Sequence, residues 1–276
     1  MDHPAAVVDH YSAHGLAARV ESVLRQAGLE NARWSDFAPL DQFHVRGLAA
    51  TEELAKGLNI KAGSRLLDVG SGLGGPSRYL AATYGCHVTG VDLSGPFIEV
   101  ARMLASKAGL SNRVSFLQED ALNLPFAGDS FDYAWTQHVA MNIHDRLRLY
   151  SEIHRVLGPD GLLAIYDVIA GGQSPLIFPV PWAREPEISF LLSDEEMRRA
   201  LEKVGFDVVS WNDSTEARLA WLSLQQAERR TGSAQPLLGL HVVMGPEFPE
   251  MTSNLGRNLA DGRARLLQAI VRKAGN

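Results

Sequence analysis

The middle of the chain alternates short apolar runs with amphipathic stretches. This alternation is typical of a parallel sheet with helices on both faces, so it predicts an α/β fold with a Rossmann-like, doubly wound, mostly parallel sheet. The predicted strands are residues 65–69, 87–91, 114–118, 131–136, 162–167 and 207–211. A last apolar run at 265–271 fits either a further strand or the end of a helix.

Helix signals fall between these strands. The predicted helices cover residues 76–83, 96–108 and 146–156. Ser94 is the expected cap of the second helix and Gly109 its expected end. The third helix should stop at residues 158–161, a Gly-Pro-Asp-Gly turn. Ser193 and Glu196 have the spacing of a capping box that opens a later helix.

The pattern divides the chain into three segments. Residues 1–60 read as a helical N-terminal cap without strands, and residues 61–170 carry most of the predicted sheet. Residues 171–276 hold lid insertions and the remaining core strands. Within them, the apolar and proline-broken stretch 171–192 predicts a lid or binding loop, because a loop this long in a compact domain usually has such a role. Residues 213–260 predict a second, helical insertion.

Composition narrows the class of protein. The chain has 276 residues, of which 46% are hydrophobic and 21% charged, as in an ordinary soluble protein. Its formal charge of −6 and the lack of a basic stripe argue against a nucleic-acid partner. A single cysteine, Cys86, excludes an internal disulfide and a zinc site of several thiolates. With no apparent signal peptide, membrane span or metal-ligand spacing, we expect a cytoplasmic protein without a membrane or metal partner.

A glycine-rich turn lies between the first predicted strand and the helix after it. Glycines are suited to positive φ and to close approach of a ligand, and the helix N-terminus offers free N–H groups to an anion. Gly70, Gly72 and Gly75 match the dinucleotide-binding fingerprint. Asp92 follows at about the distance of a ribose-binding acid. On this motif alone, a nicotinamide-dependent oxidoreductase stays open.

Two further acidic residues favour a different cofactor. Asp68 precedes the first glycine by two residues, where it would repel a pyrophosphate but attract the α-amino group of S-adenosylmethionine. Asp120 follows the third predicted strand, where it can accept a hydrogen bond from an adenine amino group. The three acids together favour a sulfonium cofactor.

These motifs and several others resemble those of a known family. The motifs concerned are Asp68-Val69-Gly70-Ser71-Gly72, Gly90-Val91-Asp92-Leu93-Ser94, the run 119–126, Ser130-Phe131-Asp132 and the run 155–161. Their order and spacing over about 60–170 resemble class I S-adenosylmethionine-dependent methyltransferases. The chain is most similar to the small-molecule branch, which includes sarcosine/dimethylglycine, phosphoethanolamine, tocopherol and sugar methyltransferases. The resemblance implies transfer of a methyl group to an N, O or C atom of a small metabolite, with S-adenosylhomocysteine as the second product.

The resemblance also implies which residues hold the cofactor. Asp92 would bind the ribose hydroxyls, Asp120 and Ala121 would lie at the adenine, and the residues from Gly70 to Gly72 would contact the methionine moiety. The predicted cofactor-binding residues are Asp68, Gly70, Ser71, Gly72, Asp92, Leu93, Asp120, Ala121 and Gln137. A protein that binds the cofactor without transferring its methyl group has the same motifs, so this alternative stays open.

Three residues are candidates for the chemistry. His138 follows Gln137 after the fourth predicted strand, where the backbone should pass close to the sulfonium. The resembling branch often has an acid at this position, whereas a histidine suits a general base near neutral pH; a packing or cofactor-positioning histidine fits the pattern as well. Asp167, at the end of the fifth predicted strand, could bind the acceptor, pair with His138 or cap a turn. His44, in a run that resembles the family's cap, is the third candidate.

The lid and cap give a hint about the acceptor. Tyr11 and Phe43 are aromatic residues of the cap that could face a sulfonium or belong to the core. The predicted apolar wall of the acceptor pocket is Phe178, Trp182, Phe190, Leu191, Leu192, Val242, Val243 and Met244. Arg184 could meet a carboxylate or phosphate there, or be a surface residue. His144 reads as an exposed residue at the start of a helix.

Overall fold

A seven-stranded sheet forms the centre of the protein, which a computed structural model describes for residues 15–30, 32–172, 174–220 and 237–275. The strands are β1 (Arg65–Val69), β2 (His87–Asp92), β3 (Val114–Gln118), β4 (Phe131–Gln137), β5 (Leu157–Ala170), β6 (Phe206–Asp213) and β7 (Ala264–Lys273). Their order across the sheet is β3-β2-β1-β4-β5-β7-β6. The first five are parallel, and β7 runs antiparallel to both of its neighbours. The predicted doubly wound, mostly parallel sheet is therefore confirmed.

The last apolar run is a strand. Residues of β7 are buried along nearly the whole strand, between β5 and β6. A strand buried on both faces has no alternation of apolar and polar positions, which is why the pattern could not separate it from a helix.

Helices pack on both faces of the sheet. They are α1 (Leu16–Gln26), α2 (Ala38–Asp41), α3 (Leu48–Lys56), α4 (Gly75–Tyr84), α5 (Gly95–Lys107), α6 (Arg146–Val156), α7 (Asp194–Val204), α8 (His241–Met244) and α9 (Phe248–Ala260). Single 3₁₀ turns cover Trp34–Phe37, Ala140–Asn142 and Pro186–Ile188. Ser94 caps α5 by accepting a hydrogen bond from the Phe97 N–H, and Ser193 with Glu196 forms the predicted capping box of α7.

The predicted turn at 158–161 lies inside a strand. Leu157 already pairs with Phe131 of β4, and pairing resumes between Leu162 and Tyr133. The four residues between them therefore bulge out of the ladder opposite a single residue of β4, and Asp160 takes a positive φ of 59°. The Gly-Pro-Asp-Gly signal therefore marks an irregularity in the strand, but β5 already begins before it, at Leu157.

The two faces of the sheet carry different partners. On one face, Trp135 and Tyr166 pack with residues of α3, α9 and the lid segment around Trp182. On the other face, Ala134 and Ile165 pack against α6 and α7. Helix α3 of the N-terminal segment and the segment around Trp182 thus pack on the same side of the sheet. In the part of the chain that the structure describes, no helix is long and apolar enough to cross a membrane.

Candidate functional site

A cavity of about 350 Å³ lies where β1, β2 and β4 end. The strand order reverses between β1 and β4, which is the place where doubly wound sheets bind ligands. Eleven of the predicted site residues line this cavity: His44, Asp68, Gly70, Ser71, Gly72, Asp92, Leu93, Asp120, Ala121, Gln137 and His138. Asp167 does not.

The glycine turn after β1 requires its glycines. Gly70 and Gly72 have φ angles of 73° and 52°, a region that favours glycine. A β-carbon at Gly70 would also collide with the side chain of Val139. The N–H groups of Gly70 and Ser71 both donate to the Val91 carbonyl, at 2.8 and 3.0 Å, and so fix the turn against β2.

Asp92 is held at the end of β2 by two backbone hydrogen bonds. Its carboxylate oxygens accept from the Gly72 N–H at 2.8 Å and from the Ser94 N–H at 2.9 Å. Burial raises the pKa of Asp92, and these N–H groups oppose the rise. Each oxygen keeps a lone pair for a further donor, as recognition of a diol requires.

Asp68 lies below the turn with 2% of its surface exposed. The Ser77 hydroxyl donates to its carboxylate at 2.5 Å. Burial raises the pKa of Asp68 to about 7, and the negative charge of Asp92 adds to the rise. A ligand ammonium group at this position would stabilise the ionised carboxylate.

Asp120 occupies a more open position after β3. One of its carboxylate oxygens accepts from the Leu122 N–H at 2.8 Å. Ala121 and Leu122 line the cavity beside it. This combination of a carboxylate and apolar side chains suits a flat ring with an amino group. We call Asp68, Asp92 and Asp120 the acidic part of the cavity.

The end of β4 carries a buried polar network. Trp135 Nε1–H donates to Gln137 Oε1 at 2.9 Å, and the Thr51 hydroxyl of α3 lies 3.3 Å from the same oxygen. Gln137 Nε2 is buried and has no hydrogen-bond partner among the residues described. The network therefore leaves the amide NH₂ group of Gln137, with its two N–H donors, unused, and Gln137 lines the cavity.

His44 and His138 form the imidazole part of the cavity. Their ring centroids are 6.2 Å apart, and both rings are close to Tyr166, at 6.1 and 4.8 Å. Burial lowers the pKa of His44 to about 4. Burial also lowers the pKa of His138 well below its ordinary value; the positive charge of Arg218 lowers it further, and so would a proton on His44. Both imidazoles are therefore neutral near pH 7 and carry a free ring lone pair, although burial makes each a weaker base than an exposed histidine.

Asp167 is buried away from the cavity. Its carboxylate lies 3.6 Å from Arg146 Nη1 of α6, and burial raises its pKa to about 6 while Arg146 opposes the rise. The sequence places Asp167 at the end of the fifth strand, but β5 continues to Ala170. A residue inside the strand faces the packed layer rather than the strand end, so the geometry gives Asp167 the Arg146 ion pair instead of the predicted His138 partner.

The lid contributes part of the predicted apolar wall. Trp182 and Met244 line the cavity, and so do Pro181 and Phe248, which the sequence does not single out. The Asn142 side chain donates to the Trp182 carbonyl at 2.7 Å and so joins the lid to the segment after β4. The remaining wall residues, Phe178, Phe190, Leu191, Leu192, Val242 and Val243, are not among the residues that line it.

Other predicted residues have different surroundings. Arg184 forms an exposed ion pair with Glu247 at 2.9 Å and does not line the cavity. Phe43 lines it and packs against Phe97, with ring centroids 5.6 Å apart. His144 also lines it while remaining exposed. Tyr11 lies outside the described residues. In those residues, no group of three or more His, Cys, Asp or Glu side chains could hold a metal ion.

Comparison with known proteins gives the family. Residues 67–165 match the family described as a methyltransferase domain. Over 186 residues the chain is 40% identical to methyltransferase GfsG of Streptomyces halstedii, covering 66% of this chain and 67% of that protein. Over 183 residues it is 33% identical to the O-methyltransferase resE of Aspergillus sclerotiorum, covering 65% and 69%. The chain belongs to the class I S-adenosylmethionine-dependent methyltransferases.

The fold of this methyltransferase is also that of solved structures. Geranyl diphosphate C-methyltransferase from Streptomyces coelicolor A3(2) superposes with a TM-score of 0.71 over 99% of both chains, at 18% identity. Identity at this level shows the fold alone. The relatives above make this chain a small-molecule methyltransferase that uses S-adenosylmethionine, and they give no support to a nicotinamide-dependent oxidoreductase.

The residues of the cavity fit the methyltransferase's cofactor. S-adenosylmethionine carries an ammonium group, a ribose diol and an adenine amino group, and the acidic part offers one carboxylate for each. Ser71 Oγ is buried without a hydrogen-bond partner among the described residues, so the turn has a polar atom left for the methionine moiety.

Proposed function

We propose that this methyltransferase methylates an N, O or C atom of a small, mostly apolar metabolite that binds next to His138 and His44. The observation that carries the proposal is the composition of the cavity. Carboxylates lie at the ends of β1 and β2 and after β3, while two neutral imidazoles and the apolar residues Trp182 and Met244 line the rest. The acidic part suits the cofactor, and the imidazole part is left for the acceptor.

In this proposal each carboxylate binds one group of the cofactor. Asp68 pairs with the ammonium group, Asp92 with Leu93 beside it binds the ribose, and Asp120 with Ala121 holds the adenine. Gly70, Ser71 and Gly72 contact the methionine moiety, and Gln137 lies near the sulfonium. When bound, S-adenosylmethionine supplies a methyl group on an already activated leaving group.

The protein then needs to hold the acceptor in line and to take up one proton where the acceptor atom carries one. His138 and His44 are the candidates to take up that proton, because both line the cavity and each has a free ring lone pair near pH 7. Trp182 and Met244 exclude water from the acceptor and contact its apolar surface. Asp167 pairs with Arg146 and accepts hydrogen bonds from the backbone of Ala140 and Met141, and so holds the segment after β4 in place.

To test this proposal, the purified protein is incubated with methyl-labelled S-adenosylmethionine and a metabolite extract of the source organism. We expect a labelled small-molecule product together with S-adenosylhomocysteine, and much less of both with Asp92→Ala at a cofactor concentration below saturation. A protein that binds S-adenosylmethionine in calorimetry but labels no fraction of the extract would instead be a cofactor-binding scaffold without transfer activity, and the proposal would be wrong.

The proposal includes a cytoplasmic location without a nucleic-acid partner. The buried free thiol of Cys86 is consistent with a reducing compartment. The formal charge of −6 is consistent with an acceptor other than a nucleic acid. Cell fractionation and a labelling assay with total RNA and DNA test the two statements separately.

A further inference from the structure

The tautomer of His44 is fixed by its neighbours. Its Nε2 lies 2.8 Å from the Gly47 carbonyl oxygen and 2.8 Å from Thr51 Oγ1. A carbonyl oxygen only accepts, so Nε2 must carry the hydrogen. The Thr51 hydroxyl has its own acceptor in Gln42 Oε1, at 2.9 Å. Nδ1 of His44 therefore carries a lone pair, and none of the described residues donates a hydrogen bond to it.

The orientation of the Gln137 amide is fixed in the same way. An indole N–H only donates, so the Gln137 atom that faces Trp135 at 2.9 Å must be the oxygen. The amide nitrogen consequently points elsewhere, and it is buried without an acceptor among the described residues. A buried N–H without an acceptor is costly, and a ligand oxygen would relieve that cost.

These two groups are neighbours in the cavity. The Thr51 hydroxyl contacts both His44 Nε2 and Gln137 Oε1, and both side chains line the cavity with 6% and 8% of their surface exposed. The pair offers a ligand one lone pair, on His44 Nδ1, and the two N–H donors of Gln137 Nε2.

A hydroxyl group matches this pair and remains reactive. Its hydrogen can be donated to His44 Nδ1, and one oxygen lone pair can accept from Gln137 Nε2, which leaves the second lone pair for the methyl carbon. A neutral amine has a single lone pair, which the Gln137 N–H would occupy. A carbon nucleophile offers no hydrogen-bond acceptor at the reacting atom.

We infer that the acceptor atom is a hydroxyl oxygen, held by Gln137 and deprotonated by His44, with Thr51 as the residue that positions both. This inference rests on the proposed function and specifies its acceptor. As the O–CH₃ bond forms, the C–S bond breaks and sulfur keeps its electron pair. The hydroxyl proton moves to His44 Nδ1, so that His44 becomes an imidazolium whose Nε2–H still donates to Gly47, and the proton later leaves to solvent.

His138 has a different environment. Its Nε2 is buried and has no hydrogen-bond partner among the described residues, in contrast to Nε2 of His44. Its ring packs against Tyr166 with a centroid distance of 4.8 Å. This arrangement suits a residue that shapes the cavity beside the acceptor, whereas His44 has the hydrogen-bonded backing that a general base needs.

The first test reads the tautomer without turnover. NMR of the full chain labelled with ¹⁵N-histidine, bound to S-adenosylhomocysteine, should give a protonated Nε2 and a lone-pair Nδ1 for His44, with His44→Gln identifying the signals. We expect Thr51→Val to shift these signals and Thr51→Ser to keep them. A His44 that is protonated on Nδ1 near pH 7 would overturn the inference.

The second test reads the bond that is formed. The labelled product of the extract experiment should carry its new methyl group on oxygen. With the acceptor isolated, His44→Gln keeps an N–H donor and removes the base, and should lower kcat about 100-fold at unchanged S-adenosylhomocysteine affinity. Gln137→Glu replaces the donor by an acceptor and should raise KM for the acceptor about tenfold. Thr51→Val should lower kcat and Thr51→Ser restore it.

The possible failures are distinguishable. Without any labelled product, the proposed function itself is wrong. A product methylated on nitrogen or carbon would leave the proposed function standing and overturn the hydroxyl acceptor. O-methylation with full kcat in His44→Gln would overturn the role of His44 as the base.

Discussion

The Asp41 carboxylate and the Arg78 guanidinium form an ion pair at 2.5 Å, with side-chain exposures of 1% and 0%. Asp41 is the last residue of α2 in the N-terminal segment, whereas Arg78 belongs to α4, the helix that begins at the glycine turn. Arg78 also donates to the Ala101 carbonyl of α5 at 3.3 Å. The pair therefore joins the N-terminal segment to the two helices beside the acidic part of the cavity.

Asp41→Asn should lower the free energy of unfolding by roughly 3–5 kcal/mol, because it leaves the buried Arg78 charge without its partner. Urea unfolding measures the effect. Glu247→Gln is the control, because it removes a partner from the exposed Arg184 ion pair and should cost less than about 1 kcal/mol. Equal losses in the two variants would show that burial of the Asp41 pair has no such effect.

Asp92→Ala and Asp120→Ala should each weaken S-adenosylmethionine binding at least about tenfold, or about 1.4 kcal/mol, because each removes the acceptor of a ligand hydrogen bond. Isothermal titration calorimetry measures the affinity, and thermal unfolding checks that the fold is kept. Asp207→Ala, an exposed carboxylate on β6 that does not line the cavity, should bind as the unchanged chain does. Unchanged affinity in both cavity variants would contradict the cofactor site.

Asp68 should make cofactor binding depend on pH. Its pKa is raised to about 7 in the folded protein, so the carboxylate is largely protonated at pH 6 and gains its charge as the pH rises. The ionised form attracts an ammonium group, so S-adenosylhomocysteine affinity should increase from about pH 6 to about pH 7.5. Calorimetry at a series of pH values measures this dependence.

Asp68→Asn is the matched variant for this prediction. It should bind S-adenosylhomocysteine more weakly and lose most of the rise in affinity over the same pH interval. The free energy of unfolding without ligand should depend on pH in the opposite direction. The folded protein binds the Asp68 proton more tightly than the unfolded chain does. This carboxyl therefore favours folding at low pH, and its contribution is lost as the pH rises through about 7. The same pH dependence of binding in Asp68→Asn would assign it to another group.

Gly70→Ala should disturb the cavity more than its backbone strain alone predicts. Gly70 and Gly63 have similar φ angles, 73° and 78°, so alanine costs roughly 1–2 kcal/mol of backbone strain at either position. A β-carbon at Gly70 collides with Val139, while one at Gly63 has open space. Gly70→Ala should therefore be the less stable variant in urea and lose cofactor affinity, whereas Gly63→Ala should keep it. Equal cofactor affinity in both variants would contradict the role of the turn.

The positions of Asp68 and Asp92 at neighbouring strand ends could be predicted from the sequence because they depend on local geometry. Asp68 and Asp92 lie at or next to the ends of β1 and β2, and the parallel pairing of these strands brings their ends together. A short apolar run followed by glycine marks such an end clearly. The same reasoning gave the wrong position for Asp167, because β5 continues for three residues beyond it. The apolar run in the sequence gives no sign of where this strand ends.

For the imidazole part, the sequence could identify the two histidines but not their environment. His44 and His138 stand out as single residues, but their environment comes from contacts across the chain, such as the one between Thr51 and Gln137 at a separation of 86 residues. Thr51 sits on one turn of α3 among apolar residues and carries no sequence signal of its own. The tautomer of His44 likewise follows from the Gly47 carbonyl, which any residue at that position would supply.

The place of β7 in the sheet has a consequence for how the protein is made. β5 and β6 share no edge; β7 lies between them and pairs with both, although it follows β6 in the chain by some fifty residues. During translation, the parallel half with the acidic part of the cavity can assemble on the ribosome while β6 has no strand to pair with. The nascent chain therefore contains Asp68, Asp92 and Asp120 before it contains α9, whose Asn254 and Asn258 hydrogen-bond to Pro179 and Ile177 of the segment predicted as a lid.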